Sequence, residues 1–302
     1  MTQDVYGKVS SRIDADWYPY HLQEWFTQKD ICDYFRWDDP DIRKAVSQKL
    51  WNDTTRKADP TLEKNNKAYR LIDKDLEELD WMNADIDKVY HLKLPYGMED
   101  QTGFDFEKNI VIPPKGIVVV AGVSNEGKTA FVLNMLLANM DDYPCTYFTN
   151  EYTGVGFKRR MKPFEGLFEF TNSDGKPKFR TILRYDHYQD VIDPDGFNII
   201  DYLDVNEQGE YYKLAPYMKQ IQKKLKNGIA IIALQKPPNR PDAFGGTNIR
   251  SMASLYLSID KGKLEVVKAK DWIIENPNGK KYAFNIYNQG SLFGGIHGIF
   301  EE

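Results

Sequence analysis

Cysteine is nearly absent from this chain. Cys32 and Cys145 are the only two in 302 residues, and they stand far apart. That excludes a disulfide framework and fits a reducing compartment. The four histidines, His21, His91, His187 and His297, are scattered without the spacing of a metal site. No apolar run is long enough to span a bilayer and the N-terminus has no signal-peptide core, so no membrane partner is expected. A basic excess is missing too: 40 Lys and Arg face 45 Asp and Glu, for a net charge of -5. Any binding to nucleic acid must therefore come from local patches. Neither an internal repeat nor a low-complexity tract is present. What remains is a globular composition, 41% hydrophobic and 28% charged, with length for about two domains.

The stretch that organises the chain is Gly122-Val123-Ser124-Asn125-Glu126-Gly127-Lys128-Thr129, which fits G-x-x-x-x-G-K-[ST]. The apolar, β-branched Ile117-Val118-Val119-Val120-Ala121 before it reads as a buried parallel strand. Ala130 to Ala138 after it reads as a helix with few breakers. Strand, glycine loop and helix are the context in which such a loop cradles phosphates: glycines admit close approach, and loop N–H groups and the helix N-terminus attract the anion. Gly122 to Ala130 are the expected nucleotide-binding residues. Lys128 would reach the β- and γ-phosphates of ATP, and the Thr129 hydroxyl would ligate Mg2+. Gly122-Val123-Ser124 starts like a serine-hydrolase elbow, but the second glycine comes one place late.

Upstream, residues 1–73 read as a small domain and 74–109 as a connector, with the nucleotide domain over 110–302. Thr27-Gln28-Lys29-Asp30 starts a helix that carries Ile31, Cys32 and Phe35 inward, and Asp39-Pro40 starts another running to about Asn52. Leu62 to Ile72 alternates around Asn65-Asn66 as a hairpin. Helix, turn, helix, hairpin resembles a winged helix-turn-helix. Arg43 and Lys44, with Gln48, Arg56 and Lys57, would then face duplex DNA. The nearby Asp38, Asp39 and Asp41 weaken that reading, and a protein-docking module stands equally open. In the connector, Lys74 to Trp81 is charged and reads as a candidate helix, followed by breakers at Leu94-Pro95-Tyr96-Gly97.

Downstream, Cys145 to Asn150 reads as a strand that ends at Glu151, a common place for a catalytic acid or base. Lys158-Arg159-Arg160 follows on a helix and reads as a solvated or interface face. Phe197-Asn198-Ile199-Ile200 delivers Asp201, the apolar-then-acid pattern whose carboxylate holds Mg2+. Ala215 to Asn227 reads as an amphipathic helix capped by Gly228. Ile229 to Leu234 is a further buried strand, ending at Gln235, whose amide is placed to sense a γ-phosphate or its attacking water. Pro237 to about Asn248 reads as a loop, and Leu264–Lys270 and Lys281–Tyr287 as a late strand pair.

In this order the signals, from Gly116 to about Tyr287, resemble the RecA-like ATPase core and, within it, the DnaB-type replicative helicases of bacteria and phages. Tyr147-Phe148-Thr149-Asn150-Glu151-Tyr152 looks like the strand end that carries their catalytic Glu. Ile200-Asp201-Tyr202-Leu203 looks like their Walker B stretch, and Ala233-Leu234-Gln235 like their phosphate sensor. The resemblance implies a mostly parallel α/β sheet flanked by helices. It also implies a ring or filament, as a ring a hexamer, with ATP between subunits and single-stranded DNA in the centre. Arg240 and Arg250, around Gly245-Gly246, would face that DNA. Two departures stand out. The N-terminal part does not look like the all-helical N-domain of bacterial DnaB, which leaves a primase or replication initiator unassigned as partner. Where DnaB-type proteins carry Lys-x-Arg, this chain has Lys268-Ala269-Lys270, closer to the lysine pair of RecA itself. On a strand the two lysines would share a face and meet the phosphate of a neighbouring subunit. The alternative for them is a solvent-facing edge strand.

The expectation is thus an ATP- and Mg2+-dependent DNA motor of the bacterial or phage-infected cytoplasm, with catalysis by Glu151, Lys128, Gln235, Lys268 and Lys270. A RecA/RadA-like recombinase and a nucleotide-switched DNA-bound regulator are its rivals.

Overall fold

The computed structural model describes residues 3–299, apart from 23, 57, 58, 75, 77 and 206–208. The chain divides into two compact units, Met1–Ala84 and Asp85–Glu302.

The first unit opens with helix α1 (Gln3–Asp16), which the sequence reading left unassigned. Strand β1 (Phe26–Thr27) leads into α2 (Gln28–Phe35), and Thr27 and Asp30 form the expected capping box. Asp39 caps α3 (Pro40–Trp51) by accepting from the N–H groups of Asp41 and Ile42. The hairpin is β2 (Leu62–Asn65) and β3 (Ala68–Leu71), turned by Asn66 at φ 54°, and β1 pairs with β3 to complete a three-stranded sheet. Val9, Ile13, Ile31, Val46 and Leu50 form its core. The helix, helix, hairpin order is the one expected, with α1 added. Lys57 lies outside the described residues.

The charged stretch Lys74 to Trp81 is not helical among its described residues. Leu76, Leu79 and Trp81 are exposed there. A short helix that packs no apolar face gains too little to nucleate.

The second unit contains β4 (Ile117–Gly122), α4 (Lys128–Asn139), β5 (Cys145–Thr149), α5 (Gly154–Met161), β6 (Phe179–Leu183) and β7 (Phe197–Asp201). It continues through α6 (Leu214–Lys224), β8 (Ile229–Gln235), α7 (Thr247–Met252), β9 (Leu255–Asp260), β10 (Lys263–Ala269), β11 (Lys281–Tyr287) and β12 (Leu292–Ile299). Among the described residues the sheet has nine strands, in the order β12-β11-β10-β9-β4-β8-β7-β5-β6. From β9 to β6 all neighbours are parallel; from β9 to β12 they are antiparallel. This is the mostly parallel sheet flanked by helices expected of a RecA-like domain.

Both faces of the sheet are covered. Val118 and Val120 of β4 pack with α4 on one side, and Ile117, Val119 and Ala121 pack with α6 and α7 on the other. Each such valine or isoleucine contributes about 1.5–3 kcal/mol relative to exposure. Two-sided burial is why these strands read as continuous apolar runs. Helix α4 is buried on nearly all sides, which explains its lack of a polar face.

Three local expectations differ. Helix α6 stops at Lys224, because Leu225 turns to extended backbone and enters the core. Gly228 is therefore no helix cap; it packs against the backbone of Pro194 and Gly196. The loop after Gln235 ends sooner than expected, at the start of α7. Finally, β10 ends at Ala269 and its register shifts between Val266 and Lys268, so Lys268 and Lys270 do not sit side by side on one regular strand. Nor is β10 an edge strand, since β9 and β11 flank it.

Candidate functional site

Because β4, β5, β7 and β8 are parallel, their carboxyl ends lie at one end of the sheet, where ligand crevices form in α/β folds. Strand β4 ends at Gly122, β7 at Asp201 and β8 at Gln235, and Glu151 follows the end of β5. Strand β8 lies between β4 and β7, so Gln235 arrives between the loop and the acid.

The loop after β4 curls back through Asn125 and Gly127, at φ 62° and 97°, the kind of turn that gathers backbone N–H groups. The N–H of Phe131 donates to the Gly127 carbonyl at 2.9 Å and starts α4. Lys128 Nζ donates to the Val123 carbonyl at 2.9 Å, and a Cβ on Gly122 would lie 2.6 Å from the lysine's Cγ. Residue 122 therefore lets the lysine stem lie flat against the strand end.

These elements enclose a cleft of about 300 Å3. Ser124, Asn125, Gly127, Lys128, Thr129 and Ala130 form its floor; Glu151, Asp201 and Gln235 stand around it. Gly122, Val123 and Glu126 shape the loop without lining the cleft. Sequence reasoning missed three wall residues: Tyr152, Tyr202 and Arg160. Tyr152 and Tyr202 adjoin the two acids in sequence, which was their only signal. Arg160 had none, because its partner Gln289 is 129 positions away.

The electrostatics are those of a cleft short of partners. Asp201 is buried, and its Oδ2 accepts from the Tyr147 hydroxyl at 2.6 Å. Its Oδ1 has no hydrogen-bond partner among the described residues. Burial raises its pKa, against the pull of Tyr147, Thr129, Lys128 and Arg160. Thr129 thus lies near enough to favour the charged form while leaving Oδ1 unbonded. Burial and then Asp201 raise Glu151, while Lys128 and Arg160 lower it. Burial pulls Lys128 down, opposed by Asp201, Glu151 and Glu126. Five buried side-chain polar atoms lack a partner among the described residues, and three of them, on Asn150, Arg160 and Asp201, belong to this cleft or its rim. A buried polar atom without a partner is costly unless a ligand supplies one.

That orphaned carboxylate oxygen beside a hydroxyl fits Mg2+, a hard cation that takes one or two protein oxygens and fills its shell with phosphate and water. Among the described residues no three His, Cys, Asp or Glu side chains gather as an all-protein metal site.

The remaining predicted residues lie elsewhere. Lys268 Nζ donates to the carbonyls of Arg250 and Ser251, both at 2.9 Å, while Lys270 is exposed just past β10; neither lines the cleft of its own chain. Arg250 forms a two-pronged bond with Asp242, at 2.8 and 2.6 Å. Arg240 is exposed, and its carbonyl accepts from Lys236. In the N-terminal unit a hollow of about 600 Å3 lies between the starts of α2 and α3 and the hairpin turn, with Lys29, Arg43, Lys64 and Lys67 around it. Arg43 also donates to Asp38 at 2.9 Å, and Lys44 is exposed on α3. That hollow is larger than the cleft and sets Asp33 among its cations, but it has neither the glycine loop nor the strand-end acids that meet in the cleft; chemistry, not size, identifies the site.

No protein-family model and no curated protein matches the chain. Among solved structures, a KaiC-like protein from the hyperthermophilic archaeon Pyrococcus horikoshii OT3 matches over 68% of this chain and 99% of its own, at 16% identity and a TM-score of 0.47. Among the described residues no helix is long and apolar enough to cross a membrane.

Proposed function

We propose that this chain binds and hydrolyses ATP with Mg2+ in the cleft at the end of β4, and uses the cycle to act on DNA as a DnaB-like motor. One observation carries the nucleotide reading. Lys128, Thr129, Glu151, Asp201 and Gln235, spread over more than a hundred residues, meet around one cleft in which Asp201 Oδ1 lacks a partner.

Lys128 and the loop N–H groups hold the phosphate chain. Thr129 and Asp201 hold the cation, which on binding neutralises charge on the phosphate oxygens. Glu151 takes the proton of an in-line water, and the burial and nearby Asp201 that raise its affinity for protons suit it to that work. Gln235 orients the water or registers the terminal phosphate. Positioning and charge neutralisation supply most of the acceleration.

The finer reading is a hexameric ring around single-stranded DNA, with Arg240 and Arg250 toward the strand. Lys268 and Lys270 would act on the nucleotide of a neighbouring subunit. The exposure of Lys270 supports this for one lysine; the bond of Lys268 to the end of α7 suits it to holding that segment in place. The basic hollow beside Arg43 and Lys44 favours a second reading, a nucleotide-switched regulator that grips duplex DNA through its N-terminal unit. One experiment separates them: ATPase rate with and without single-stranded DNA, beside particle size with a non-hydrolysable ATP analogue. The motor requires a ring and DNA-stimulated turnover, and mixing Lys270→Ala with Lys128→Ala subunits should restore part of the rate. A filament supports a recombinase. Binding to duplex without stimulation would favour the regulator, and no turnover at all would sink the motor.

A further inference from the structure

Arg160 ends the basic run that reads from sequence as a solvated face, yet it lines the cleft. Its Nη1 donates to the Gln289 carbonyl at 2.8 Å, its Nε is buried without a partner, and it makes no salt bridge among the described residues. A half-buried guanidinium that meets no carboxylate is a cation waiting for an anion.

Its surroundings are built to hold it there. Asn288, Gln289 and Gly290 run through three consecutive left-handed conformations, with φ 46°, 55° and 98°. That shape presents the Gln289 carbonyl to the arginine. The turn is fixed on both sides: Asn134 Nδ2 on α4 donates to the Gly290 carbonyl at 2.8 Å, and Asn288 Nδ2 donates to the Pro163 carbonyl just after α5 at 3.3 Å. A Cβ on Gly290 would sit 3.0 Å from Arg160 Nη2 and 2.9 Å from Ala130 Cβ. Only a glycine there leaves the guanidinium its place beside the start of α4.

We propose that Arg160 is a second anion-binding cation of this cleft, gripping the phosphate chain of a bound nucleotide from the β5–α5 side while Lys128 grips it from the loop. The proposal rests on the nucleotide reading above and deepens it. The charged groups around the cleft are Lys128, Glu126, Glu151, Asp201 and Arg160 itself. Arg160 favours the ionised forms of both Glu151 and Asp201. It therefore has a second effect, on the proton affinity of Glu151.

The test is a titration of a fluorescent ATP analogue with Mg2+ on the full chain, beside the pH profile of hydrolysis. The variants are Arg160→Ala, Arg160→Lys and Arg160→Gln, whose amide keeps a polar donor without the charge; Lys128→Ala is the reference. Loss of a charge-assisted bond should weaken binding by about 10- to 100-fold in the Ala and Gln variants. Arg160→Lys should recover part of it, since charge returns without the planar fork. The acid limb of the rate should move to higher pH in Arg160→Ala, because a cation that favoured ionised Glu151 is gone. Binding within about twofold of the parent in Arg160→Gln, with an unmoved acid limb, would make Arg160 a structural staple only and overturn the proposal. A parent chain that binds no nucleotide would remove the nucleotide reading and this one together. Binding lost in Lys128→Ala but kept in all three Arg160 variants would remove this one alone.

Discussion

Two buried lysines set the two units of this molecule apart. Lys49, on α3 of the N-terminal unit, reaches Asp14 at 2.8 Å and Asp53 at 2.9 Å and lies over the ring of Tyr18, whose hydroxyl donates to Asp53. Burial works against its charge, but the two carboxylates outweigh it and raise its pKa. Lys128 has one loop carbonyl within hydrogen-bond reach and burial lowers its pKa. Around it Asp201 and Arg160 carry unpartnered atoms, whereas the two orphans of the N-terminal unit, on Trp17 and Thr61, are neutral. The same contrast recurs one residue from the cleft: Lys236 is buried but bound to Asp260 and to the Arg240 carbonyl. A buried charge with its partners in place holds a fold together. A cluster of buried charges short of partners marks where a ligand completes the structure.

The comparison breaks most sharply at Lys49. Lys49→Met removes the buried cation that bridges Asp14 and Asp53, and breaking such a buried pair should cost about 3–5 kcal/mol. The N-terminal unit should become protease-sensitive and lose its urea transition while nucleotide binding by the core persists. An unchanged transition would mean that the Lys49 network is not structural.

A smaller effect of opposite sign is expected at Asp201. Its folded pKa is raised by burial, so the stability linked to its protonated form is complete below the unfolded carboxylate pKa and lost as pH rises through the folded value. Ionising this buried group is a burden on the free protein. Asp201→Asn keeps an oxygen for the Tyr147 hydroxyl and removes that burden. Without nucleotide or Mg2+ it should melt about 2–4 °C higher near pH 7, which corresponds to roughly 1 kcal/mol, and the gain should shrink in acid. A lower melting temperature at neutral pH would contradict the idea that this carboxylate is held at a cost for binding.

Much of the core was legible because its strands are buried on both faces. Ile117–Gly122, Phe197–Asp201 and Ile229–Gln235 carry apolar runs, and each ends at a site residue. What escaped has a weaker signature. Leu292–Ile299 is interrupted by Gly294, Gly295 and Gly298, and Phe179–Leu183 is a polar strand at the sheet's edge. Helix α1 buries only Val9 and Ile13 of its own residues. Lys74 to Trp81 shows the reverse error, a helical composition whose Leu76, Leu79 and Trp81 stay exposed. Within the site, the residues on the loop and at strand ends were readable from motif and position. Arg160 was not, since only the distant Asn288–Gly290 turn brings it to the cleft.

The most direct test follows the binding of a fluorescent ATP analogue and its turnover, with and without Mg2+, in the parent chain, Lys128→Ala and Glu151→Gln. The parent should bind in a Mg2+-dependent way. Lys128→Ala should lose binding and turnover together, because its ammonium touches phosphate in the ground state. Glu151→Gln should bind like the parent but hydrolyse about 10²- to 10⁴-fold more slowly, the usual range for a lost general base. Parent-like binding in Lys128→Ala, or a parent-like rate in Glu151→Gln, would contradict the account.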